Sequence, residues 1–218
     1  TRPPLDRGKV SPRPEHAQGS RRLRTRRDLD PRGDVIGQFA PPKGSPDYFA
    51  FQVLDFIIGS GGFTSRLFSQ IRSTYGLAYS VGSFYRGDID YGVFGAYCMT
   101  KSGSTNRALE LMMDSVEKVK AGEISEPELE FAKESILNNF IFSFTSSAQI
   151  AAQQMQLEYD RLPPDFIRTA PDKIRLLSLA DLRRVAAEWL APNKMIILTA
   201  GDAAKYDNPP RQRWGEPQ

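Results

Sequence analysis

Two strand-like stretches, Leu77 to Tyr85 and Tyr91 to Met99, flank a Gly87-Asp88 turn signal, and most of the chain from Asn106 to Leu190 has helical spacing. A hairpin followed by a block of helices is the wrong order for a parallel sheet, in which each pair of neighbouring strands needs its own crossover. It predicts an α+β fold: an antiparallel sheet with helices packed on one face. Two further strands fit that plan. Val35 to Phe39 is apolar and closed by Pro41-Pro42, and Lys194 to Ala200 (KMIILTA) ends the helix block. Arg21 to Arg27 reads as a short charged strand, and Asp28 to Gly33 as the turn after it. With 218 residues the chain can bury one sizeable core or two very small ones. No internal repeat is visible. The domain plan is a basic, Pro-rich arm over residues 1–20, one α+β domain over 21–203, and a polar tail over 204–218 that is expected to fray.

The helices have readable ends. Pro46 suits a first turn, and Tyr48, Phe49, Val53, Leu54, Phe56, Ile57 and Ile58 make the helix apolar on most sides, hence buried. Gly59-Ser60-Gly61-Gly62 stops it. A second helix runs from Thr64 or Ser65 to about Thr74, before Gly76. Leu109, Met112, Met113, Val116 and Val119 mark a helix over Asn106–Lys120, ended at Gly122. Ser125-Glu126-Pro127-Glu128 is a capping box opening a long helix, to about Phe144. Helices over Ala148–Arg161, Asp165–Leu176 and Ser178–Leu190 follow, with Pro163-Pro164 between the first two.

Counting removes several chemistries. There is one histidine, His16, in the Pro-rich arm, and one cysteine, Cys98. A zinc hydrolase site needs three protein ligands, and a Ser-His or Cys-His centre needs a histidine held in the fold. One cysteine also excludes an internal disulfide and a cysteine-based zinc site. Ile58 to Gly62 precedes a helix as phosphate loops do, but no Lys-Ser/Thr follows and a helix leads into it. Glu126/Glu128 and Glu130/Glu134 read as solvated helix faces. Met112-Met113 and Phe140/Phe142/Phe144 read as core. No 18-residue apolar run exists, so no helix long enough to span a membrane is expected, and no signal peptide is expected in the N-terminal segment as given.

The net charge of +3 is uneven: residues 1–27 carry nine Lys/Arg against Asp6 and Glu15, and the rest is net acidic. An Arg-rich arm can bind nucleic acid. This one has no aromatic residue for stacking on bases, and four prolines keep it from forming a basic helix. A connector is the expectation, with no nucleic-acid partner.

Gly61 to Val81 joins a glycine loop, a short helix, a turn at Gly76 and a strand opening near Tyr79. Arg72 sits near the helix end and Tyr79 lies across the turn. The two can meet at one edge, where a guanidinium and a phenol could grip a peptide carbonyl or an oxyanion. Equally, Arg72 could pair with a surface acid and Tyr79 pack on the sheet.

Ser65-Arg66-Leu67-Phe68, Ile71-Arg72 and Gly76-Leu77-Ala78-Tyr79-Ser80-Val81 resemble the second-half signature of the pitrilysin/insulinase family of zinc peptidases, of which mitochondrial processing peptidase is a member. The likeness extends more loosely from Arg21 to Gly201, with Asp47-Tyr48 heading the first helix and Gly201-Asp202 after the last strand. Thr74-Tyr75 stands where relatives tend to carry charges. In that family two similar α+β halves form a clamshell, and one half carries an inverted H-x-x-E-H zinc motif. The resemblance implies that this chain is the half without metal. Arg72 and Tyr79 would support the substrate and transition state, with Gly61, Gly62 and Ser65 in the substrate-binding set. It implies zinc in a homologous partner half or subunit, a peptide substrate, no cofactor in this chain, and no proteolysis by the chain alone. Two other readings remain open: a non-catalytic scaffold subunit, as some relatives in a respiratory complex are, and a nucleic-acid binder acting through the arm. A bacterial periplasm or cytoplasm is expected ahead of a mitochondrial matrix.

Overall fold

The computed structural model describes residues 21–25, 32–142, 145–201 and 205–207. The arm, His16, Asp28–Pro31, Phe144 and most of the tail lie outside them. Among the described residues five strands form one sheet: β1 (Arg21–Thr25), β2 (Arg32–Ala40), β3 (Ala78–Gly87), β4 (Gly92–Thr100) and β5 (Ile196–Ala200). Their order is β1-β5-β2-β4-β3. The β5-β2-β4-β3 run is antiparallel, as expected. β1 departs from it, pairing parallel with β5 on the sheet's far side. The rest of the chain, including the whole helical block, separates these two strands and supplies the long crossover a parallel pair requires. Arg32 and Gly33, expected in a turn, already pair with Thr100 and Met99 in β2.

Among the described residues six α-helices pack with the sheet: α1 (Tyr48–Asp55), α2 (Thr105–Lys120), α3 (Glu126–Ile141), α4 (Ser147–Tyr159), α5 (Phe166–Arg175) and α6 (Leu179–Trp189). Alternation along the strands sends one set of side chains into the helical layer. Ile36, Phe94, Ala96, Cys98 and Ile197 are fully buried there against Phe51, Leu54, Ile58, Leu109, Met112 and Met113. Phe51 and Phe94 meet edge to face at 5.6 Å. Each such large side chain contributes roughly 1.5–3 kcal/mol through burial. On the other face Ile196, Leu198, Phe84 and Met99 stay exposed. Helices on one face of the sheet is therefore the architecture. Buried Asp47 ties α6 to the start of α1, accepting hydrogen bonds from Arg184 Nη2 at 2.5 Å and Trp189 Nε1 at 2.9 Å.

Several local expectations shift. Pro46 lies two residues ahead of α1, in a turn, and Asp47 is the residue before the first helical one. Met112 and Met113 are core, but Phe142 is exposed and Phe140 only partly buried. α3 ends at Ile141, so Phe142 has no helical layer to face. Glu128 is not a freely solvated acid; it closes the α3 capping box and pairs with Arg66. Within the tail, Asp207 docks rather than frays: its carboxylate accepts from the backbone N–H groups of Asn106 and Arg107 at 2.8 and 2.9 Å. The α2 N-cap residue Ser104 makes no side-chain cap, and Asp207 satisfies those otherwise open donors from outside the helix.

Candidate functional site

The stretch from Gly59 to Tyr79 is built from close approaches that only glycine permits and from two π-helical turns. α1 widens into a π-helical turn over Phe56–Ser60. At Gly59 the chain presses on β3, and a Cβ there would lie 2.5 Å from the Ser83 backbone nitrogen. A Cβ on Gly61 would lie 2.7 Å from the Phe56 carbonyl oxygen, and Gly62 has φ +63. Ser65 is buried; its hydroxyl donates to the Gly62 carbonyl at 2.7 Å and accepts from the Phe68 N–H at 3.4 Å. Gly61, Gly62 and Ser65 thus shape the loop. What the loop presents outward is Phe63, 80% exposed.

The next segment is clamped on both sides. Arg66 reaches across to the start of α3, where Nε and Nη2 donate to the two Glu128 oxygens at 2.6 and 2.8 Å. Partial burial works to raise the Glu128 pKa, but the hydrogen bonds from Arg66 and Ser125 outweigh it and hold it down at about 2. Ser115 of α2 donates to the Gln70 side chain at 2.8 Å. Leu67 and Ile71 are fully buried below. Phe68–Thr74 form a second π-helical turn, a geometry often found at functional sites. Gly76, at φ +61 with open space around its Cβ position, lets the chain reverse into β3.

Arg72 and Tyr79 stand on either side of that reversal, and both are exposed. The Arg72 guanidinium lies 4.9 Å over the Phe68 ring, and Phe68 meets Phe63 edge to face at 4.7 Å. No carboxylate among the described residues lies within ion-pair distance of Arg72. Tyr79 does not pack on the sheet; it is 80% exposed. The cause is a β-bulge. The β3–β4 register passes from Ala78–Thr100 to Ser80–Met99, so Tyr79 is the unmatched residue. β3 is also the edge strand, so the bulge turns the phenol outward at an open edge. Residue reasoning missed Phe63, Phe68 and Glu128. An aromatic directly after Gly61-Gly62 was the available signal for Phe63.

Asp55 lies under the same loop. Its carboxylate is buried, which raises its pKa to about 6, and hydrogen bonds from Ser83 (2.6 Å to Oδ1) and Ser60 offset part of that. Zinc, implied by the resemblance, finds no fit here. The sequence has one histidine and one cysteine, and among the described residues no three His, Cys, Asp or Glu side chains converge. Nor is any helix among the described residues long and apolar enough to cross a membrane.

The described residues thus form a two-layer α+β unit with a clamped loop, an exposed Arg and Tyr at one end of edge strand β3, and no converging set of metal ligands. The chain belongs to the Peptidase M16 inactive domain family, whose model matches residues 3–136, more than half of its length. An uncharacterized zinc protease of Streptomyces coelicolor is 35% identical over 81 residues, which are 37% of this chain and 17% of that protein. The peptidase M16 inactive domain from Pseudomonas fluorescens superposes with a TM-score of 0.76 at 22% identity, over 88% of this chain and 45% of that one. A protease from Helicobacter pylori does so with a TM-score of 0.77 at 23% identity, over 86% and 45%. The chain thus spans less than half the length of these proteins.

Proposed function

We propose that this chain is the substrate-holding half of a two-part zinc peptidase, working beside a homologous half that carries the metal. The single observation that supports this reading best is the outward Tyr79 at the bulge of edge strand β3, one turn of chain beyond the exposed Arg72. An extended peptide would add through its backbone to the end of the β3 edge next to Tyr79, the usual way a sheet edge takes a strand. The Tyr79 hydroxyl and the Arg72 guanidinium would then donate to peptide carbonyl oxygens. Donors fixed in advance favour the developing oxyanion most, because no reorganisation is needed as charge builds. The Phe68 ring lies beneath the Arg72 guanidinium, and the Arg66–Glu128 clamp fixes the segment that carries both. The metal chemistry belongs to the partner half; no residue of this chain is assigned a step in it.

The test is reconstitution with the cognate zinc-motif half and a peptide library. The chain alone should cleave nothing. The pair should cleave, and Arg72→Ala and Tyr79→Phe should each lower kcat/KM by about 10²-fold, the scale seen on losing one oxyanion donor. Full activity in both variants would show that Arg72 and Tyr79 have another purpose. Stable assembly with no cleavage under any condition would favour a scaffold subunit.

A further inference from the structure

A cavity of about 500 Å³ lies between α1, α3, α4 and α5, and neither Arg72 nor Tyr79 lines it. That is within the range of small-ligand sites, roughly 300–1,000 Å³. Its floor is apolar: Phe49, Leu157, Ala170 and Ile174 are all buried. Its walls carry four carboxamides, Gln52, Asn139, Gln153 and Gln156. Lys43 is the one charged side chain among the described lining residues, and it is already neutralised by buried Asp160 at 2.9 Å. Such a lining has no charge to offer a charged ligand. Asn139 and Gln153 offer a donor and an acceptor together, which is what a peptide bond needs, while Gln52 and Gln156 already give Nε2 to Tyr48 and Asp160 at 3.3 and 2.8 Å and keep their acceptor oxygens. Phe56 and Ser60, in the π-helical turn that leads into the Gly61-Gly62 loop, also line the cavity. The cavity therefore adjoins the loop beside the proposed cleavage site. Its outer wall is light: in α4 only Leu157 is buried, whereas Ile150, Met155 and Tyr159 are exposed.

We propose that this cavity is an auxiliary peptide subsite. It takes an uncharged, apolar or aromatic side chain of the bound peptide on its floor, and its carboxamides hold the flanking backbone. The peptide as occupant rests on the substrate-holding function proposed above. The probe is N-acetyl-phenylalanine amide, titrated into the full chain with isoleucine methyls labelled for NMR. Saturable shifts are expected at Ile136, Ile167 and Ile174, which line the cavity, and none at Ile197, which sits in the sheet core. Ala170→Phe fills the floor and should weaken binding at least tenfold. Gln153→Ala, on the light outer helix and independent of core packing, should weaken it several-fold. N-acetyl-glutamate amide should bind more weakly than the phenylalanine probe. Arg72→Ala and Tyr79→Phe should leave probe affinity unchanged. No saturable shift in the unmodified chain, or shifts that survive both Ala170→Phe and Gln153→Ala, overturns the subsite. If the probe binds as described but Arg72→Ala with Tyr79→Phe leaves reconstituted cleavage intact, the cavity stands and the role given to that pair falls.

Discussion

Glu128→Gln separates the electrostatic clamp on the site from simple packing, because glutamine keeps the shape and removes the charge. In the folded chain the Glu128 pKa falls from 4.5 to about 2. At about 1.4 kcal/mol per unit, a drop of that size caps its contribution at roughly 3 kcal/mol. The side chain is 32% exposed, and its partner Arg66 is 22% exposed. Solvent screening at such an exposure brings the expected loss to about 1–2 kcal/mol. The sign follows from the direction of the shift. A depressed carboxylate pKa contributes stability in full above the unfolded value near 4.5, and loses it as pH falls through about 2. Urea denaturation at pH 7 should therefore show the variant less stable by about 1–2 kcal/mol, and the gap should close as the pH is lowered toward 2. Hydrogen exchange should quicken over Ser65–Thr74, the segment that Arg66 anchors. Equal stability at pH 7 would refute the clamp. So would a gap that persists undiminished at pH 2, since it could not then come from the ionised carboxylate.

Asp55 works in the opposite direction: burial raises its pKa from 3.8 to about 6, so its stabilising protonated form is complete below 3.8 and lost as pH rises through 6. Wild-type stability should therefore fall by about 2–3 kcal/mol between pH 4 and pH 8 from this group, and Asp55→Asn should flatten that slope in pH-dependent denaturation. Gly59→Ala should cost about 1–3 kcal/mol, read as a lowered urea midpoint, because the new methyl meets the β3 backbone rather than a movable side chain. Gly76→Ala should cost roughly 1–2 kcal/mol from its positive φ alone, with space around it unchanged. Tyr79→Phe should leave the unfolding midpoint where it is, since the ring is 80% exposed.

The elements most legible in the sequence are those whose cause is local. The β3–β4 hairpin follows from alternation and a turn, and the Ser125/Glu128 capping box forms as read because both partners lie within one turn. The parallel placement of β1 beside β5 was not legible: the choice of partner strand is made across most of the chain, and no local residue records it. The two π-helical turns were also hidden. Phe56–Ser60 and Phe68–Thr74 have ordinary helical composition, and the extra residue per turn goes with tertiary constraints such as Gly59 pressing on Ser83. α3 has apolar residues on several sides, so periodicity could not tell that Phe140 would turn inward and Phe142 outward. At the site, residue chemistry alone left Arg72 and Tyr79 as one option among others. Resemblance is what favoured that option, and the bulge that turns Tyr79 outward has no signature in the sequence.

That bulge matters because of where it lies. β3 is a ten-residue edge strand, AYSVGSFYRG, with no proline or lysine to blunt it. A long open edge exposes a row of backbone donors and acceptors and invites unwanted pairing, so soluble proteins usually shorten, charge or cover such strands. Here the only charged residue along it is Arg86, at the end far from Tyr79. The near end instead carries a bulge, a phenol and, across one glycine turn, an arginine held on an aromatic ring. The middle of that edge is covered, since Gly59 presses on the Ser83 backbone and the Tyr85 N–H hydrogen-bonds to Asp55, so on the function proposed above an extended partner would meet only the end next to Tyr79. On that proposed function, backbone pairing at this end would supply affinity without regard to sequence, leaving Arg72 and Tyr79 to fix where along a peptide the reacting carbonyl falls.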